Sequence, residues 1–137
     1  VAMRECPDVG ALTGLFFEAA EIERRLPSAL RLGLQASWPD APDDWQAFGW
    51  HEVEFTPRPA TPAEVDRYDL ALRLTPMLPP DERRVVWAVA HSAVRRSRGP
   101  AWRKIARVIG VHPDTVKRRF EWSILTLFFK LQHLAAK

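Results

Sequence analysis

The side chains of this 137-residue chain best suited to chemistry are cations, and they crowd into one short stretch. Between positions 95 and 119 Asp114 is the only acid, whereas nine residues are arginine or lysine. A solvated helix face normally mixes both signs of charge, and cations of this density neutralise phosphates. The stretch therefore predicts a surface that binds a polyanion. Its cations are Arg95, Arg96, Arg98, Arg103, Lys104, Arg107, Lys117, Arg118 and Arg119.

The charge of the whole chain is divided along its length. Residues 1–60 carry 5 Lys or Arg against 10 Asp or Glu, and residues 61–137 carry 15 against 7, for a net charge of +3. This asymmetry predicts an acidic helical part, 1–60, that packs on a basic part, 61–137, which faces the polyanion. With 137 residues the two parts are expected to form one compact unit.

The sequence contains no grouping of residues that is typical of catalysis or of metal binding. His51, His91, His112 and His133 are scattered without metal-ligand spacing, and Cys6 is the only cysteine. No glycine-rich phosphate loop is present. We therefore expect no enzyme activity, no metal and no cofactor.

The elements that position the cations are predicted to be helices throughout, which gives an all-α fold. Apolar residues recur at helical spacing from position 9 to 26, and Thr61 with Glu64 forms a capping box that opens a second long helix. The buried stripe of that second helix is expected to contain Val65, Tyr68 and Leu72. Between these helices we expect short helical pieces at 28–35 and 43–48 and an extended piece at 51–55.

Three further helices follow the prolines at 76, 79 and 80 and compose a helix-turn-helix unit over about 81–127. Asp81 and Glu82 favour a helix start, because acids are stabilised at the positive end of the helix dipole. A short helix then runs to Gly110, whose freedom to adopt positive φ suits a tight turn. Ala106 is small where two helices must cross closely. The wedge between the last two helices is predicted to contain Ile105, Ile109, Val111, Val116 and Phe120.

The helix that follows the turn is predicted to present a polar outward face to a major groove. Taking about 100° per residue, its core stripe comprises Val116, Phe120, Ile124, Leu127 and Leu131. The predicted base contacts on the other side are Asp114, Thr115, Lys117 and Arg118, and Arg118 suits guanine because a guanidinium binds it bidentately. Phosphate contacts are predicted for Arg95, Arg96, Arg98, Arg103, Lys104, Arg107 and Arg119. The backbone amides of Asp114 and Thr115 can also hold a phosphate.

The residues from Asp81 to Phe120 carry a resemblance to a known family. The segments Asp81–Val86, Trp102–Ile109 and Val111–Phe120 resemble region 4 of bacterial sigma factors, especially the extracytoplasmic type. The resemblance implies binding to promoter DNA or to RNA polymerase. Two features depart from it: His112 stands where a Ser or Thr cap is usual, and nothing upstream resembles sigma region 2. A free-standing initiation factor is therefore not expected.

Most of the chain also resembles an uncharacterised helix-turn-helix family of alphaproteobacteria and their phages. The shared features are Trp38-Pro39, Trp45, the capped helix from Thr61 and the segment around Trp87. This wider resemblance implies no particular activity.

The far end of the last helix stays apolar outside the core stripe, at Trp122, Leu125, Phe128 and Phe129. A helix that is apolar all round is usually buried, so these residues are predicted to form either a packing surface against the N-terminal part or a partner surface. The partner would be a second copy or RNA polymerase. A homodimer would recognise a palindrome with half-sites about one helical turn apart.

The sequence as a whole predicts a cytoplasmic, nucleoid-associated regulator of transcription that binds double-stranded DNA and no membrane. One alternative is an adaptor that binds RNA polymerase as a sigma mimic, co-activator or antiterminator. Another is a phage protein of DNA packaging or recombination that uses the same DNA-binding unit. A third is that the helix-turn-helix spacing reflects only the packing of a helical bundle.

Overall fold

The part of the chain described by the computed structural model, residues 7–26, 58–96 and 98–137, is α-helical and contains no strand. The all-α prediction is confirmed for these residues. Five α-helices and one short 3-10 helix lie in the described ranges. They are α1 (Val9–Arg25), α2 (Pro62–Leu74), the 3-10 helix Thr75–Met77, α3 (Pro80–Val94), α4 (Trp102–Ile109) and α5 (Pro113–Ala135).

The chain divides into two compact units. One comprises Val1–Arg24 together with Thr61–Lys137, and the other comprises Arg25–Ala60. The predicted short helices at 28–35 and 43–48 and the extended piece at 51–55 lie outside the described residues. All the helices that carry the predicted DNA contacts belong to the first unit.

Helix α1 begins at a side-chain cap and buries one face. The Asp8 carboxylate accepts a hydrogen bond from the Ala11 amide at 2.6 Å, which satisfies one of the free donors of the first turn. Leu12, Phe16 and Ile22 are fully buried, as their helical spacing predicts. On the exposed side an ion pair joins the Glu18 carboxylate to Arg67 of α2 at 2.7 Å.

Helix α2 opens with the predicted capping box, and its predicted buried stripe is correct in part: Val65 and Tyr68 are half-buried, whereas Leu72 is exposed. The Glu64 amide donates to Thr61 Oγ1 at 3.3 Å, and the Thr61 amide donates to the Glu64 carboxylate at 2.8 Å. Leu72, predicted to be buried, is 43% exposed, whereas Ala71 and Leu74 are buried. The prediction for Leu72 was wrong because the buried stripe is centred on Ala71, about 100° around the helix from Leu72.

Helix α3 buries an apolar face in the core. Val86, Val89 and Ala90 are fully buried. Trp87 meets Phe16 of α1 edge to face, with the ring centroids 5.5 Å apart. Its indole N–H donates to Thr75 Oγ1 at 3.1 Å, so the polar edge of this aromatic side chain is satisfied. Trp87 thereby links α1, the 3-10 helix and α3.

Candidate nucleic-acid interface

The turn between α4 and α5 has the tight geometry that its glycine and alanine predict. Gly110 adopts φ +82°, and its amide and that of Val111 both donate to the Ala106 carbonyl, at 2.8 and 3.0 Å. Ala106 itself is buried. The left-handed glycine ends α4 and lets the chain re-enter a helix three residues later.

The interface between α4 and α5 is built from fewer residues than predicted. Ile105, Val116 and Phe120 are buried and Val111 is half-buried, as expected. Ile109 is 38% exposed, which contradicts its predicted place in the wedge. It is the last residue of α4, directly before the glycine that ends the helix. Trp102 covers the other end of the interface, with its ring centroid 5.9 Å from that of Phe120.

Helix α5 begins at an imidazole cap. His112 Nδ1 accepts a hydrogen bond from the Asp114 amide at 3.2 Å, and the His112 carbonyl accepts one from the Thr115 amide at 3.0 Å. The His112 side chain therefore caps α5 in the way that a Ser or Thr hydroxyl commonly caps a helix. Because both amides are already occupied, the prediction that they are free to hold a phosphate was wrong.

The four predicted base-contact residues lie on the first two turns of α5. The side chains of Asp114, Lys117 and Arg118 are exposed, and Thr115 is half-buried. A shallow groove of about 550 Å³ runs along the same side of the helix. Its lining combines predicted contacts with apolar residues: Thr115, Arg118, Arg119, Glu121, Trp122 and Leu125.

The predicted phosphate-contact residues are all exposed. Arg103, Lys104 and Arg107 lie on α4, Arg119 lies on α5, and the others precede α4. Within the part of the chain that the structure describes, none of the nine cations of residues 95–119 forms an ion pair or a side-chain hydrogen bond. Elsewhere Arg67 pairs with Glu18, and Arg83 donates to the carbonyls of Leu78 and Pro76. The cations around the helix-turn-helix are thus available to an external anion.

The apolar residues predicted as a partner or packing surface continue the outward face of α5. Thr115, Arg118, Trp122, Leu125 and Phe129 follow one another at intervals of three and four residues, so they form one stripe along the helix. Trp122 is 64% exposed and Phe129 57%, whereas Leu125 is half-buried. One face of α5 is therefore cationic near its start and aromatic farther along.

Sequence reasoning missed part of the apolar surface. Leu134 is 60% exposed, and together with Met77 and Lys130 it lines a second groove beside Trp122 and Phe129. The helical spacing of Trp122, Phe129 and His133 in the sequence could have indicated that the outward stripe extends to the end of α5. The contribution of Met77 could not have been found, because it comes from a separate element.

Other kinds of site find no support among the described residues. No group of three or more His, Cys, Asp or Glu side chains could hold a metal ion there. In the same ranges, no helix combines the length and the apolar character that crossing a membrane requires.

Comparison with known proteins gives one family. The profile of the family described as a domain of unknown function, DUF6362, matches residues 24–127, about three quarters of the chain. The chain therefore belongs to the DUF6362 family. No curated protein and no solved structure matches it.

Proposed function

We propose that this member of the DUF6362 family binds double-stranded DNA through α4 and α5 and regulates transcription. The observation that carries the proposal is the set of nine exposed cations, unpaired within the described residues, on and beside these two helices. Exposed cations that form no ion pair within the protein can bind a phosphate backbone and release its counterions.

The contacts divide into two kinds. Arg118 lies on the outward face of the first turns of α5, the part of a helix-turn-helix that meets base edges. Arg103, Lys104 and Arg107 lie on the preceding helix, which in this architecture crosses the backbone. Arg118 therefore supplies sequence preference, and the cations of α4 supply affinity.

A comparison of single variants tests this division. Arg118→Ala is expected to cost about 1–3 kcal/mol at one base position, whereas Lys104→Ala weakens binding to all sequences alike and lowers the salt slope by about 1. Arg73→Ala is the matched control, because Arg73 is an exposed arginine on α2. The measurement is fluorescence anisotropy with a selected duplex and its single-base variants. If Arg118→Ala and Lys104→Ala bind duplex DNA as tightly as Arg73→Ala does, the proposal is wrong.

The role in transcription has its own test. Genome-wide crosslinking with and without ongoing transcription separates two modes of binding. Peaks at promoters that persist when elongation stops support a site-specific regulator, whereas signal that spreads along transcribed genes contradicts it.

The exposed aromatic residues of α5 favour a second candidate, an adaptor that binds RNA polymerase. Trp122 is the most exposed aromatic side chain among the described residues, and large exposed apolar groups mark protein contacts. An adaptor would co-purify with core polymerase, keep that contact in Arg118→Ala and lose it in Trp122→Ala. Failure to co-purify would remove this candidate.

A further inference from the structure

The part of α5 from Trp122 onward leaves three large apolar side chains in solvent. Trp122, Phe129 and Leu134 each expose more than half of their surface. With Met77 of the 3-10 helix and Leu125 they line a groove of about 580 Å³. Clustered apolar exposure of this kind is uncommon on a folded domain and marks an interaction site.

The groove carries a positive charge at Lys130, and none of its lining residues is Asp or Glu. The acid that lies next to it along α5, Glu121, lines the neighbouring groove, which shares Trp122 and Leu125. Lys130 Nζ donates to the Met77 carbonyl at 2.6 Å, which holds the lysine beside the groove. An ammonium group has three donors, so Lys130 keeps two for an external acid.

The dimensions of the groove suit a helix. At about 1.5 Å per residue, Trp122 and Leu134 lie about 18 Å apart along α5, the length of about three helical turns. An amphipathic helix places apolar anchors at i, i+3 or i+4, and i+7 over such a length. A nucleic acid fits poorly, because its phosphates would be desolvated against an apolar floor.

We propose that this groove binds an acidic amphipathic helix of a partner protein. The apolar anchors of that helix pack on Trp122 and Phe129, and its acidic residues lie against Lys130. The inference does not rest on DNA binding, because Phe129, Leu134 and Met77 lie outside the set of predicted DNA contacts.

Calorimetric titration of the full chain with designed peptides tests the proposal. The probe is a helical peptide of about 14 residues with leucines at i, i+4 and i+7, glutamates beside that stripe and alanines elsewhere. It is expected to bind at least about tenfold more tightly than its scrambled form or its lysine counterpart. Phe129→Ala and Trp122→Ala are expected to weaken binding at least about tenfold. Leu72→Ala, at an exposed leucine of α2, is the matched control and leaves the affinity unchanged.

Several outcomes would overturn the proposal. Equal affinity for the scrambled or lysine peptide would remove the acidic helix as the occupant, as would unchanged affinity in Phe129→Ala. A dimer in sedimentation that Trp122→Ala dissociates would assign the groove to a second copy. Co-sedimentation with phosphatidylserine vesicles, lost in Trp122→Ala, would assign it to a membrane surface if the acidic peptide does not bind. DNA affinity is expected to stay unchanged in Phe129→Ala, so the two proposals succeed or fail separately.

Discussion

At the scale of single residues, the smallest side chains of the helix-turn-helix determine its shape. Gly110 has φ +82°, a region that residues with a Cβ adopt at a cost, although nothing within 4 Å would contact an added Cβ there. Its amide donates to the Ala106 carbonyl, and Ala106 is buried at the same turn. The position of Arg118 on the surface depends on this turn, because the turn determines where α5 begins.

Gly110→Ala tests the strain at this turn. The substitution is expected to lower the free energy of unfolding by about 1–2 kcal/mol, since the left-handed conformation disfavours a Cβ. The measurement is urea denaturation followed by circular dichroism.

The matched control is Gly14→Ala in the middle of α1. Gly14 is exposed, and an added Cβ there meets nothing within 4 Å. This substitution is expected to stabilise the fold by about 0.4–1 kcal/mol, because it reduces the freedom of the unfolded chain at a helical position. Equal effects of the two substitutions would contradict the role assigned to the positive φ of Gly110.

At the scale of elements, one side of α5 packs in the core and the opposite side faces the solvent. Val116, Ile124 and Leu127 are buried, and α3 and α4 both pack against α5. The other side carries Arg118 near the start of the helix and Phe129 near the end. Because the core side fixes the rotation of the helix, the cationic and aromatic surfaces are held at a set distance along one rigid element.

The packing of α2 changes the pKa of Tyr68. Burial raises the pKa of the Tyr68 phenol above its ordinary value of 10.0, and the nearby carboxylates of Glu23 and Asp69 raise it further. The folded state therefore favours the neutral phenol. The stability that this preference contributes is complete below the unfolded pKa and is lost as the pH rises through the higher folded pKa.

Tyr68 is the only tyrosine of the chain, so its ionisation can be followed without interference from other phenols. We expect the tyrosinate absorbance to titrate with a midpoint above about 10 in the native protein and at the ordinary value in denaturant. A midpoint in the native protein at or below the denatured one would contradict the packing of Tyr68. Tyr68→Phe is expected to reduce the loss of stability at alkaline pH.

At the scale of the whole molecule, the sequence predicted best what is decided locally. The capping box of Thr61 and Glu64 and the glycine at the end of α4 depend on residues a few positions apart, and both are confirmed. Leu72 was misplaced because the buried face of α2 is chosen by its neighbours in the fold. The prediction of the apolar surface around Phe129 was incomplete for the same kind of reason, since Met77 contributes to it from a distant part of the sequence.

The residues of the candidate DNA interface could be predicted from the sequence. Whether their charges are free of ion pairs within the protein could not. The sequence indicates which cations are dense, but only the structure shows that those of residues 95–119 form no ion pair within its described ranges. The sequence also could not show that the amides of Asp114 and Thr115 are already hydrogen-bonded. The hydrogen bond from Asp114 depends on the rotation of the His112 side chain, which caps the helix.

The central claim is that the cationic surface around α4 and α5 binds duplex DNA, and the salt dependence of binding tests it most directly. The logarithm of the binding constant for a labelled duplex, measured by anisotropy, is expected to fall linearly with the logarithm of salt concentration. A triple variant Arg103→Ala, Lys104→Ala, Arg107→Ala is expected to flatten the slope by about 2.7, at about 0.9 for each lost phosphate contact. The triple control Arg67→Ala, Arg73→Ala, Arg84→Ala removes the same charge from α2 and α3 and is expected to leave the slope unchanged. Equal slopes for the two triple variants, or no binding of duplex DNA by the native chain at low salt, would contradict the account.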